Sequence, residues 1–146
     1  MLRIGKLTDY ALLIMSQMAR ESDAILSATL LAETLHLAPP TVSKILKILA
    51  EAGLLHSVRG ADGGYHLARG AAEITVADVI TAMEGLAITV CCEQINLCAL
   101  NSLCTVRENW QQINHAIQSL LARVSIADML APLNARAMLE GLAHVN

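Results

Sequence analysis

Between Leu54 and Arg69 the chain reads Leu-Leu-His-Ser-Val-Arg, then Gly-Ala-Asp-Gly-Gly, then Tyr-His-Leu-Ala-Arg. Two short alternating runs around a glycine-rich turn predict a β-hairpin. The residues ahead of the hairpin narrow the fold further. Pro39-Pro40 opens a helix, because proline in a first turn gives up an N–H that would have no partner there. Val42, Ile45, Leu46 and Leu49 form that helix's apolar stripe, Pro40, Ser43, Lys44 and Lys47 share the opposite side, and Gly53 closes it. Ahead of it Ser27 is a cap for a short helix to about His36, with Leu31, Ala32 and Leu35 turned inward and Leu37-Ala38 as a tight connection. Two short helices joined by a tight turn and followed by a hairpin describe a winged helix-turn-helix.

The remainder is helical in pattern. Leu7, Ala11, Ile14, Met15 and Met18 recur at helical spacing and predict a first helix over about residues 7–20. Thr75-Val76-Ala77-Asp78 is a capping box opening a helix that ends at Gly85. From about Thr105 a longer helix aligns Trp110, Ile113, Ile117, Leu120, Leu121 and Val124, a stripe that either packs internally or forms a dimer seam. Ser125-Ile126-Ala127-Asp128 is a second capping box, and the chain after Pro132 reads as helix. With no Phe, one Trp and two Tyr among 146 residues, the core must be aliphatic. The expected fold is mainly α with a small β-hairpin. Residues 1–70 form the winged helix-turn-helix, residues 71–104 a linking helix and cysteine loop, and residues 105–146 a long helix with a helical arm.

The net charge of −3 alone argues against nucleic acid. Its distribution argues the other way. Residues 1–70 hold seven Lys or Arg against six acids, a balance of +1, and residues 71–146 hold three against seven, a balance of −4. A DNA-contacting face therefore belongs to the first half. Its candidates are Pro40, Thr41, Ser43 and Lys44 toward base edges, Lys47 toward phosphate, and Arg59 on the wing toward a minor groove, where the potential is most negative.

All four cysteines lie in one stretch. Cys92, Cys98 and Cys104 are evenly spaced with Cys91 beside the first, and the segment lacks the apolar periodicity of a core element. Clustered thiolates suit iron–sulfur clusters, zinc or copper(I), and the spacing is not the paired C-x-x-C of zinc ribbons. Cys91 reads as a spare thiol, an alternative ligand or a redox partner. The five histidines are scattered, with no ligand spacing relative to the cysteines.

No apolar run is long enough to span a bilayer. The apolar stretch behind Arg3 and Lys6 is interrupted by Asp9 and diluted by Ser16 and Gln17, unlike a signal peptide, so a cytoplasmic protein is expected. No phosphate-binding loop, nucleophile-base motif or small-molecule substrate site is recognisable, and an enzyme is not expected.

Leu7-Thr8-Asp9-Tyr10-Ala11-Leu12, the wing Val58-Arg59-Gly60-x-x-Gly63-Gly64-Tyr65-x-Leu67 and the spaced cysteines before Trp110 together resemble the Rrf-two family of bacterial regulators. The resemblance covers roughly residues 1–130. Met1 to Tyr10 and Val106-Arg107-x-x-Trp110 are most similar to the regulators of SUF iron–sulfur assembly operons. It implies a homodimer with the helix after Thr105 as its seam, binding double-stranded DNA at a pseudo-palindromic operator. It also implies a repressor of iron–sulfur assembly genes, with an iron–sulfur cluster on Cys92, Cys98 and Cys104. In IscR-like members the further ligand is a histidine three residues after the last cysteine, and here that position is Arg107. In NsrR-like members it is an aspartate of the partner near the start of the first helix, which matches Asp9, with Cys91 and Glu93 as alternatives. The cluster implied is 2Fe–2S, with 4Fe–4S second. The alternatives on the same DNA-binding frame are thiol-redox, nitric-oxide or zinc-dependent regulation.

Overall fold

In a computed structural model of the protein, residues 4–86 and 104–140 are described. Helix α1 (Lys6–Arg20) buries Ala11, Ile14, Met15 and Met18 of the stripe its spacing predicts, while Leu7, in its first turn, is exposed and Thr8 is buried instead. Helix α2 (Ala28–Leu35) starts where the Ser27 hydroxyl accepts the Leu30 N–H. It ends on His36, a non-glycine residue in the left-handed region at φ 52°. The Leu37 N–H reaches the Ala32 carbonyl and the His36 N–H that of Glu33, closing the α2 end in three residues.

Helix α3 (Pro39–Glu51) has both prolines in its first turn and buries Val42, Ile45, Leu46 and Leu49. Its end is a Schellman pair, with Gly53 at φ 73° donating to Ala50 and Leu54 donating to Leu49. Strands β1 (Leu55–Val58) and β2 (Gly64–Leu67) pair antiparallel, with Leu55 opposite Leu67 and Val58 opposite Gly64.

Helix α4 (Val76–Met83) begins in a complete capping box, in which the Thr75 hydroxyl accepts the Asp78 N–H and the Asp78 carboxylate accepts the Thr75 N–H. Helix α5 (Arg107–Ala122) is followed by a return of the chain onto the segment before α4. Val76 donates to the Val124 carbonyl and Ile126 to the Ile74 carbonyl, both at 2.8 Å. Ile74 and Ile126 are fully buried in the same aliphatic core as α1 and α3.

The second capping box forms as well, with Ser125 and Asp128 bonded reciprocally, but it opens only a single 3-10 turn, Asp128–Leu130. The last described helix, α6, is short and runs Ala135–Glu140.

Candidate nucleic-acid interface and cysteine-loop anchors

Helices α2 and α3 pack through Leu31, Ala32, Val42, Ile45 and Leu46, which turns the opposite face of α3 outward. Pro40, Ser43, Lys44 and Lys47 are exposed on that face and Thr41 is half-buried beside them. The first turn of α3 holds no acid, so the positive end of its dipole is left open to an anion. Lys47 lies 3.9 Å from Glu51, and with side chains 75% and 67% exposed that pair is too weakly held to withdraw the lysine from a phosphate.

The wing is fixed to this head by a contact that the sequence does not announce. Leu26, between α1 and α2, exchanges two 2.9 Å backbone hydrogen bonds with Tyr65, adding a bridge beside the hairpin. The approach requires glycine at position 64, where a Cβ would stand 2.5 Å from the Leu26 carbonyl oxygen. At the tip, Gly63 donates to Gly60, which has a φ of 120°. Arg59 is exposed at the tip side of this turn, together with Asp62.

The two wing arginines differ. Arg69 bends back to the body, donating to the Glu73 carbonyl and to the Asp78 carboxylate at 3.2 Å. Arg59 is left as the basic residue of the wing tip among the described residues.

Cys91, Cys92, Glu93 and Cys98 lie outside the described residues. Cys104, a half-buried free thiol, stands just ahead of α5. Arg107, in the first turn of α5, has its Nε sealed from solvent with no hydrogen-bond partner among the described residues. Asp9 is exposed in the first turn of α1.

On the other side of the cysteine segment, Glu84 accepts the Gly5 N–H with both carboxylate oxygens, at 3.0 and 3.3 Å. The end of α4 is thereby tied to the N-terminus of α1, one turn from Asp9. Among the described residues no three His, Cys, Asp or Glu side chains converge as a metal site.

The stripe of α5 divides along its length. Leu121 packs on Val76, Ile80 and Val124, whereas Trp110 and Ile113 are 37% and 42% exposed, and Val106, the residue before the helix, is 51% exposed. No described helix is long and apolar enough to cross a membrane.

A helix-turn-helix with a docked β-wing and an open recognition face defines the class, a winged-helix regulator. The chain belongs to the Rrf2 family, described as iron-dependent transcriptional regulators, whose profile matches residues 4–132. It is a family of regulators rather than of enzymes.

The protein rrf2 of Nitratidesulfovibrio vulgaris is 33% identical over 90 residues, 61% of this chain and 60% of that protein's length. Of solved structures, CymR, the global cysteine regulator of B. subtilis, superposes with a TM-score of 0.70 and 29% identity, covering 92% of this chain and all of that one. IscR of T. potens gives 0.68 and 28%, covering 88% and 86%.

Proposed function

We propose that the protein is a cytoplasmic, homodimeric repressor of iron–sulfur assembly genes whose operator affinity is set by an iron–sulfur cluster. The donor set fits such a group: Cys92, Cys98 and Cys104 offer soft thiolates, and Asp9 of the partner subunit offers the carboxylate. Of the two cluster types, 2Fe–2S is the one proposed. Arg107 leaves no imidazole at its position, which favours the carboxylate as the remaining ligand. The cluster supplies a redox- and oxidant-sensitive cross-link, and the chain's own residues relay its state to the DNA-reading head.

The observation that carries the sensing half is the Glu84–Gly5 tie. Glu84 lies close before the cysteine segment, and Gly5 caps the helix that carries Asp9. A change in how the segment is held is thus transmitted to α1, and α1 packs directly on α3 through Ile14, Met15 and Met18. The bare half of α5, with Trp110 and Ile113 and with Val106 just before it, supports a dimer seam there. Paired recognition helices about 34 Å apart would then read a pseudo-palindromic operator through Pro40, Thr41, Ser43 and Lys44, with Lys47 on phosphate and Arg59 in the minor groove. A coupling of about 1–3 kcal/mol between cluster and operator corresponds to roughly 5- to 150-fold in affinity.

The test is anaerobic purification with iron, sulfide and zinc quantitation and an operator-binding assay, on the parent chain and on Asp9→Ala. A coloured protein with about two irons and two sulfides per subunit, lost more readily from Asp9→Ala, is the expected result. About four irons would revise the cluster type. A colourless protein without sulfide after reconstitution would replace this reading with a thiol or zinc switch on the same frame.

A further inference from the structure

We propose that His56 and His66 form a two-imidazole site for a late first-row divalent cation, of the zinc, nickel or copper class, on the outer face of the wing. The two residues stand directly opposite each other in the β1–β2 register, with ring centres 5.4 Å apart and planes inclined at 56°. An imidazole nitrogen binds zinc at about 2.0–2.1 Å, which puts each ring centre about 3.2 Å from the ion. Two rings subtending a tetrahedral angle at one ion then lie about 5.2 Å apart. The observed separation meets that requirement without moving either strand.

The protonation pattern also fits. His66 Nδ1 lies 2.9 Å from the Leu67 carbonyl oxygen. A carbonyl only accepts, so the proton sits on Nδ1 and the Nε2 lone pair is left for a ligand. Anchoring the far nitrogen to a backbone carbonyl is the usual way in which a ligating histidine is oriented. His56 is exposed and His66 half-buried, so an ion can enter and keep water in its remaining positions.

Among the described residues no third His, Cys, Asp or Glu joins the pair. The site is therefore open and exchangeable, unlike a closed structural zinc. Imidazole donors select zinc, copper and nickel over magnesium or calcium, which take oxygen ligands. A bound ion would bridge β1 to β2 and add two positive charges to the strand that ends beside Arg59. Operator affinity would rise with it. Nothing in this proposal depends on the cysteines or on a cluster.

The experiment is a Zn2+ titration of the intact protein with 15N-labelled histidines, following each imidazole by ring 1H–15N spectra. The expected result is that the Nε2 signals of His56 and His66 shift together. In His56→Gln the His66 response should need roughly a hundredfold more zinc, because one arm of the chelate is gone. The converse should hold in His66→Gln. His56 is exposed and His66 half-buried, and thermal unfolding of the two variants checks that the fold is kept. Unmoved rings while zinc is taken up by thiols would overturn the proposal. So would a His66 response unchanged in His56→Gln.

Discussion

Arg69 donates to Asp78 at 3.2 Å, and the same carboxylate oxygen accepts the Thr75 N–H at 2.9 Å. One side chain thus caps α4 and holds the base of the wing. The ion pair is 41% and 38% exposed, so its own contribution is about 1 kcal/mol at most. The cap contributes more. Asp78→Ala should cost about 1–2 kcal/mol in urea unfolding, and Arg69→Ala no more than about 1 kcal/mol. Equal losses in the two variants would mean that the ion pair, and not the cap, dominates.

The same geometry separates the two wing arginines in DNA binding. Arg59→Ala should weaken operator binding about tenfold and lower the slope of log affinity against log salt by about one. Arg69→Ala should leave that slope unchanged, because its guanidinium is already turned to Asp78 and Glu73. Salt-dependent binding isotherms of both variants check this.

Gly64→Ala tests the wing's attachment. The new Cβ would press on the Leu26 carbonyl, whose neighbours are backbone and cannot swing aside. A loss of about 1–3 kcal/mol is expected, together with weaker operator binding as the wing lifts from the α1–α2 connection. Chemical denaturation and operator titration of the variant read the two effects separately.

The turn after α5 gives a pH signature. Hydrogen bonds from the Ser125 hydroxyl and then the Ser125 N–H hold the Asp128 carboxyl below its ordinary value of 3.8, against a smaller opposing effect of desolvation. A carboxyl depressed in the folded state adds stability that is present above pH 3.8 and is lost as pH falls through the lower folded value. Ser125→Ala should therefore flatten the acid side of the stability profile below about pH 4 and leave its slope at neutral pH unchanged. Urea midpoints across pH 2.5–7 provide the measurement.

Much of the reading head was legible because local signals agreed with one another. Pro39-Pro40, the stripe Val42 to Leu49 and the glycines of the wing all specify the same chain path. Ser27 and Thr75 cap as their sequence contexts predict. What escaped depends on partners far away in sequence. No pattern shows that Tyr65 will bridge Leu26, or that Arg69 will face Asp78 instead of solvent. The box at Ser125–Asp128 formed, yet it opens only a 3-10 turn, because Ala131 leaves the helix in an extended conformation ahead of Pro132. The stripe of α5 looked uniform from Trp110 to Val124, but only its later part meets α4. The proposed role of Asp9 has no signature in spacing, since a ligand contributed by another subunit would leave no periodic trace.

Ile126 fills the head from beyond the long helix, side by side with Ile74. On the ribosome, therefore, the first seventy residues emerge without the plug that completes their interior. The last residues to join that interior, Val124 to Ile126, are synthesised only after the cysteine segment and α5. A fragment that stops at the wing would lack Ile126 from its interior, so the DNA-reading head and the end of the long helix form one folding unit.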